Sequence, residues 1–300
     1  MKDLVLYCKS YRRDFLRLKR LYESIQEFNQ DSIPFYISTP EEDKNLLDKV
    51  LGDSGDFSWI SDESIVKRNP NLDLEQISSI PGSQAQAIIK AEFWRLSIAE
   101  NYLCLDSDCF FIRPFRKSNF LNSDRIPYTV LHQNKELFQL ALDRGYLKFV
   151  TNLKQEASKT RELFSRDGPE YFCAPAPFIW SAKVWQSLES NFLIPRNQTL
   201  LDLFIKGYPE TLVYCEAILK YQTIPLKPIE PLFRVYHFDW QYYVAKRLGE
   251  TKSKVAINYL GIINQSNWES ELEFGIPSKG ILSRFIKSLK RYAKYIHSYF

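Results

Sequence analysis

Short apolar runs of strand length alternate with amphipathic stretches over the first part of the chain. Residues 4–8, 35–38 and 57–60 are such runs. Between them, apolar residues recur at helical spacing over 15–25, and a second helix is predicted over 41–51. Strands that alternate with helices predict βαβ units and a mainly parallel sheet, whose ligands bind at the carboxyl ends of the strands. Residues that directly follow each strand are therefore the first candidates for a site.

A further helix is predicted before the middle of the chain. Pro81-Gly82 breaks the preceding segment, Ser83 is a suitable N-cap, and Gln86 completes a capping box. The helix is predicted to continue to about Glu100.

Two short apolar strands come next, at 102–105 and 109–112, and Asp106-Ser107-Asp108 separates them. If this segment is extended, both carboxylates of the D-x-D point to one side. They then supply the hard oxygen ligands that Mg²⁺ or Mn²⁺ prefers, and water and substrate phosphates complete the coordination. A solvated acidic turn is the alternative, but the apolar flanks argue against it, because carboxylates placed so deeply need counter-charge.

The second half has a less regular pattern. It predicts helices near 134–144, 155–165, 182–191 and 209–222, and strands at 126–131, 177–180 and 255–263. Gly275 and Pro277 mark a predicted boundary between a single α/β domain over 1–275 and a C-terminal helix over 276–300.

This terminal segment is predicted to be a basic amphipathic helix. Apolar residues recur at helical spacing from Ile281 to Ile296, while 279–300 carry six Lys or Arg residues and no acid. Such a helix binds an anionic membrane surface or packs on the domain, and the sequence leaves both open.

Charge and composition narrow the function classes. The formal net charge is +4, so the chain without the six terminal basic residues carries −2, which argues against nucleic acid as a partner. The 18 Tyr, 21 Phe and 6 Trp residues exceed what a core of this size accommodates and predict stacking platforms for sugars or bases.

The five cysteines form no C-x-x-C pair and have no metal-ligand spacing, which favours a reducing compartment. The N-terminal apolar run is too short for a signal peptide or a membrane span. We therefore expect a cytoplasmic protein, with peripheral contact at the inner face of the membrane left open.

The helix from Gln84 to Arg95, followed by the D-x-D segment, resembles GT-A glycosyltransferases, particularly a bacterial group with a Gln-rich, Lys-bearing helix before its D-x-D. The Pro209-Glu210-Thr-Leu-Val-Tyr214 element is similar to a downstream Glu-x-x-x-Tyr element of that group. The resemblance is good over 1–120, patchy to 220 and weak beyond.

The resemblance implies a GT-A (Rossmann-like) fold, with a nucleotide-binding half over 1–120 and an acceptor half over 121–275. It implies transfer of a hexose from a nucleotide-sugar, UDP-sugar being the expected donor, to a saccharide or lipid-linked envelope polysaccharide acceptor, with Mn²⁺ or Mg²⁺ as cofactor. It assigns these residues to the nucleotide and the metal: Cys8, Lys9, Ser10, Asp62, Asp106, Ser107 and Asp108.

Lys90 and His237 are further candidates. Lys90 shares a helix face with Gln86 and Trp94 and either contacts donor phosphate or sugar or is an ordinary surface lysine. In GT-A enzymes a later histidine often completes the metal shell, and His237 is the best match here. A histidine among aromatic residues is usually a core residue, and His132 is expected in the core or the acceptor site.

A catalytic carboxylate is required if the transfer inverts the anomeric centre. Glu210 and Glu216 are the candidates, with Asp202 and Asp239 behind them. Glu210 is equally suited to a structural role at a helix N-terminus after Pro209.

Two other functions remain open. A phosphatase of the haloacid-dehalogenase type also uses a D-x-D after a strand, but its motif lies near the N-terminus and has Thr or Val where this chain has Phe110. A non-catalytic sugar-binding protein would keep the aromatic residues without the metal.

Overall fold

The computed structural model describes residues 1–52 and 55–265, together with Ile286, Leu289 and Ala293. The strands within these residues are β1 Lys2–Lys9, β2 Phe35–Thr39, β3 Ser58–Ser61, β4 Ala99–Leu105, β5 Cys109–Phe111, β6 Thr129–Val130, β7 Phe178–Ser181, β8 Pro228–Ile229, β9 Phe233–Tyr236 and β10 Gly261–Asn264. The α-helices are α1 Phe15–Phe28, α2 Lys44–Leu51, α3 Asp62–Val66, α4 Leu74–Ser79, α5 Gly82–Glu92, α6 Lys135–Leu142, α7 Leu147–Leu163, α8 Ala182–Leu188, α9 Leu200–Ile205, α10 Glu210–Tyr221, α11 Asp239–Arg247 and α12 Lys252–Asn258.

The central sheet has the order β3-β2-β1-β4-β7. Strands β1 to β4 are parallel, and β7 pairs antiparallel with β4. The predicted Rossmann-like α/β fold with a mainly parallel central sheet is therefore confirmed. The strand order reverses at β1, because β2 lies on one side of it and β4 on the other, and ligands bind outside the carboxyl ends of strands at such a switch point.

The central strand is almost completely buried, which explains its continuous apolar sequence. Val5, Leu6, Tyr7 and Cys8 are inaccessible to solvent. Helices cover both faces of a parallel sheet, so its strands are apolar on both sides rather than alternating. This packing fixes β1 and positions the residues that follow it.

A second sheet, of order β5-β10-β9, begins directly after the D-x-D. Strand β10 pairs antiparallel with β5 and parallel with β9. Gly261 allows this close approach, since a Cβ atom there would lie 2.6 Å from the carbonyl oxygen of Phe110 and would also overlap the ring of Phe233. The D-x-D turn thus connects the two sheets.

Helix α5 differs from its predicted bounds at both ends. It begins at Gly82 with Pro81 as N-cap, so Ser83 lies inside the helix. A 3₁₀ turn continues it, and Ser97 then adopts a left-handed conformation with φ 54°. Strand β4 begins at Ala99, where the prediction still had helix, because pairing with Lys2 extends the sheet to this residue.

The prediction of a strand over 255–263 was wrong for its first residues, which belong to α12. Thr251 accepts a hydrogen bond from the backbone N–H of Lys254 and caps α12, which ends at Asn258. Only the end of the predicted run becomes β10.

The predicted basic helix over 276–300 lies outside the described residues, apart from three positions. Ile286, Leu289 and Ala293 are helical and exposed. Within the part of the chain that the structure describes, no helix is long and apolar enough to cross a membrane.

Candidate active site

Polar residues at the carboxyl ends of β1 and β3 form one side of the candidate site. Lys9 Nζ lies 3.1 Å from Asp62 Oδ2, and each side chain is only 8% exposed. Ser10 Oγ and Asp62 Oδ1 are buried and have no hydrogen-bond partner within 1–52 and 55–265. The sheet thus brings Lys9, Ser10 and Asp62 together, with hydrogen-bonding capacity left for a ligand.

Cys8, a predicted nucleotide-site residue, has a different environment. Its side chain is fully buried, and its Sγ contacts the carbonyl oxygen of Lys9 at 3.7 Å. Burial raises the pKa of the thiol well above its ordinary value, with a further contribution from Asp106. The Cys8 side chain is therefore part of the core, and a ligand would not reach it.

The D-x-D forms a turn between β4 and β5. The backbone N–H of Cys109 donates to the carbonyl oxygen of Asp106 at 3.0 Å, so the segment is not extended. The side chain of Asp106 is 31% exposed, whereas Ser107 and Asp108 are buried. The expected arrangement of both carboxylates on one side of a strand is replaced by one partly exposed and one buried acid.

Lys90 lies at the centre of the site. Its side chain is 3% exposed, and its ammonium group forms an ion pair with Asp106. Burial alone would lower the pKa of Lys90, but the negative charges of Asp106 and Glu210 raise it above the ordinary value. Lys90 is thus a buried cation at the D-x-D and not a solvated surface residue.

Glu210 is the first residue of α10 and is partly buried. Burial raises its pKa, the positive charge of Lys90 opposes this shift, and Asp106 adds to it. The tertiary structure therefore brings the predicted catalytic acid into the electrostatic environment of Lys90 and the D-x-D.

Glu216, the second predicted catalytic acid, lies elsewhere on the same helix. It is buried and paired with Arg166, whose Nη2 donates to Glu216 Oε1 at 2.9 Å. The same guanidinium donates to the carbonyl oxygens of Asp167 and Pro169. This arrangement attaches the 166–169 loop to α10, which is a structural role.

His237 directly follows β9. Tyr236 pairs with Asn264, whose backbone N–H lies 3.3 Å from the carbonyl oxygen of Asp108. His237 and Asp108 thus lie at the same end of the smaller sheet, and two interstrand spacings separate their backbones by about 10 Å. Burial, Arg234 and His132 lower the pKa of His237 to about 4, so its imidazole is neutral at neutral pH. Among the residues described, no group of three His, Cys, Asp or Glu residues is close enough to hold a metal ion.

Arg20 also reaches the D-x-D, although it was not among the residues predicted for the site. Its Nη2 lies 3.5 Å from the carbonyl oxygen of Asp108, and its guanidinium carbon is 4.5 Å from the centroid of the Phe110 ring. Arg20 lies within α1, the helix after the first strand, and no local pattern distinguishes it from Arg17 and Lys19 on the same helix. Arg20 adds positive charge beside the D-x-D.

Comparisons with known proteins give a family and likenesses in fold to solved structures. A family model described as "Family of unknown function (DUF6492)" matches residues 3–192. No curated protein matches the sequence. The chain is similar to the crystal structure of mouse xyloside xylosyltransferase 1 in its apo form, with a TM-score of 0.49 and 7% sequence identity, over 88% of this chain and 98% of that one.

Proposed function

The chain belongs to the DUF6492 family, and we propose that it is a glycosyltransferase that uses a nucleotide-sugar donor and a divalent cation. The observation that carries this proposal is the convergence of Lys90, Asp106 and Glu210 at the carboxyl edge of the sheet, beside the Lys9–Asp62 pair. Buried charges of both signs at a topological switch point are typical of a site that binds and activates a charged substrate.

The nucleoside of the donor is assigned to the carboxyl ends of β1 and β3. Asp62 Oδ1 and Ser10 Oγ, which have no hydrogen-bond partner among the described residues, would accept hydrogen bonds from the donor there, and Lys9 would donate one. A uracil edge, with one N–H between two carbonyl groups, matches an acceptor beside an ammonium donor. This supports UDP-sugar as the donor.

Asp106 and Asp108 fit a divalent cation. Mg²⁺ and similar cations commonly use one or two protein carboxylates and take their other ligands from water and substrate phosphate, so the two acids suffice without a third protein ligand. When bound, the cation neutralises charge on the departing diphosphate.

The protein's own groups have separate roles in this proposal. Lys90 holds Asp106 in place and supplies a fixed positive charge next to the donor phosphates or sugar. Glu210, whose pKa is raised by burial, is the carboxylate that takes the acceptor hydroxyl proton. The acceptor is a saccharide or a lipid-linked envelope polysaccharide.

A thermal-shift panel tests the proposal directly. UDP, GDP, CDP and UDP-sugars are added with and without Mn²⁺, because a ligand that binds only the native state raises the apparent unfolding temperature. We expect UDP and UDP-sugars to stabilise the protein more with Mn²⁺ than without it. Stabilisation by none of the nucleotides would contradict the proposal and leave a sugar-binding protein, and release of phosphate from a phosphomonoester would favour the phosphatase.

A further inference from the structure

The turn between α6 and α7 packs against the beginning of α11 through four aromatic rings. The ring centroid of Phe238 lies 5.2 Å from that of Tyr146 and 5.7 Å from that of Phe149. Phe238 also stacks on Trp240, with centroids 5.7 Å apart and an interplanar angle of 10°. We call these four residues the aromatic cluster.

The aromatic cluster is not part of the central core. Tyr146 and Phe149 pack against a smaller buried group that contains Phe138 and Val150, whereas Phe238 and Trp240 belong to none of the three groups of buried apolar residues. Tyr146, Phe149 and Phe238 are half-buried. Three adjacent rings that keep part of their surface in solvent provide a stacking platform.

Hydrogen-bond donors border this platform. The guanidinium carbon of Arg144 lies 4.7 Å from the centroid of the Trp240 ring. Trp240 is only 6% exposed, yet its Nε1 has no hydrogen-bond partner among the residues that the structure describes. Buried indole N–H groups nearly always have an acceptor. A ligand oxygen would satisfy this donor.

The aromatic cluster adjoins the end of the smaller sheet at which Asp108 lies. Phe238 follows His237 after β9, β9 pairs with β10, and the backbone N–H of Asn264 in β10 lies 3.3 Å from the carbonyl oxygen of Asp108. Lys9 and Asp62, the proposed nucleoside site, follow β1 and β3 of the central sheet. The aromatic cluster thus adjoins the smaller sheet, the nucleoside site adjoins the central sheet, and the D-x-D turn connects the two sheets.

We propose that the aromatic cluster binds a pyranose ring of the acceptor saccharide, an inference that rests on the proposed glycosyltransferase function. The C–H face of the sugar packs on the half-buried rings, and its hydroxyl oxygens accept hydrogen bonds from Trp240 Nε1 and Arg144. A purely apolar ligand would leave the indole N–H of Trp240 unsatisfied, which is unfavourable.

Methyl glycosides of common hexoses serve as probes, with binding followed by saturation-transfer NMR and transfer followed with a UDP-sugar donor. The variants are Tyr146→Leu, Phe149→Leu and Trp240→Phe, the last of which keeps an aromatic ring and removes the N–H. Tyr208→Leu is the matched control, because Tyr208 is a half-buried ring that contacts Lys159 at 4.5 Å outside the cluster. Thermal unfolding of each variant checks folding.

We expect the KM for the acceptor glycoside to rise about tenfold in the three cluster variants, as for the loss of one aromatic or hydrogen-bonding contact. Saturation transfer to the sugar should weaken in parallel, while donor hydrolysis without acceptor and the Tyr208→Leu protein stay unchanged. No saturation transfer to any glycoside with wild-type protein, or equal transfer with folded variants, would overturn the subsite. Saturation transfer reports sugar binding without catalysis and therefore tests the subsite. Nucleotide binding is measured separately and tests the proposed function.

Discussion

The ammonium group of Lys90 forms a buried ion pair with the carboxylate of Asp106, the first acid of the D-x-D. An ion pair in such a place does more for positioning than for stability, since the desolvation of both charges offsets much of their attraction. It fixes Asp106 before any ligand arrives and keeps a positive charge at the edge of the sheet.

Lys90→Met should lower the free energy of unfolding by about 1–3 kcal/mol, because it leaves a partly buried carboxylate without its partner. It should also slow sugar transfer at least about tenfold through the loss of the fixed charge. Lys19→Met is the control, since Lys19 pairs with Glu23 on the exposed surface of α1 and such pairs contribute less than about 1 kcal/mol. Urea unfolding and a transfer assay measure both effects, and equal behaviour of the two variants would contradict the role of Lys90.

UDP should bind more tightly in Mn²⁺ than in EDTA, and Asp108→Ala should remove most of that difference. The physical reason is that Asp106 and Asp108 would hold the cation, which would supply positive charge for the diphosphate. Titration calorimetry of both proteins in both buffers gives the answer. The same affinity in all four titrations would show that no cation connects the nucleotide to these acids.

Glu210→Gln should mainly lower the turnover number, whereas Glu216→Gln should mainly lower stability. The first should lower the turnover number by at least about a hundredfold with little change in stability, because a positioned general base contributes this much. The second should lower stability by about 1–3 kcal/mol and affect turnover less, because Arg166 loses its carboxylate partner. If Glu210→Gln keeps full turnover, Glu210 has only a structural role at the start of α10.

Burial of Asp62 should make the free energy of unfolding fall as the pH rises. Burial raises the pKa of Asp62 in the folded protein, although Lys9 opposes the shift. The folded state then binds more protons than the unfolded state at pH values between the ordinary pKa, about 3.9, and the raised one. The free energy of unfolding therefore falls as the pH rises through this window.

The wild-type protein should thus lose stability relative to Asp62→Asn as the pH rises above about 4. Urea unfolding at several pH values, with the exposed-loop variant Asp124→Asn as control, measures the difference. A pH-independent difference between the wild type and Asp62→Asn would show that the Asp62 pKa is not raised.

The C-terminal segment should bind anionic membranes. Its six basic residues, with no acid, each contribute about 1 kcal/mol near an anionic surface, and this attraction weakens as salt rises. Sedimentation with anionic and neutral liposomes compares the full chain with a protein that ends at Phe274. Binding only by the full chain, only to anionic liposomes and only at low salt is expected. Equal sedimentation of the two proteins would show that the C-terminal segment does not bind the membrane.

Local pattern was sufficient for β1 to β5 and for the D-x-D. Apolar runs of strand length, each followed by polar residues, identify the buried strands and the edge where they end, because a parallel sheet is apolar on both faces. The resemblance assigned Lys9, Ser10 and Asp62 to the nucleotide, and the strand pattern places these residues directly after β1 and β3. Helix α5 was found, but its end was not, because pairing of Ala99 with Lys2 overrides helical propensity there.

The sequence by itself determined the α/β fold and a polar strand edge that contains Asp106, since both depend on the alternation of neighbouring residues. Only the tertiary structure decided the partners at that edge. Lys90 is buried because α5 packs beside β1, and Glu210 rather than Glu216 reaches Lys90 because α10 begins there and Arg166 holds Glu216 elsewhere. Contacts between residues far apart in the chain depend on how helices dock, and periodicity within one helix carries no information about that.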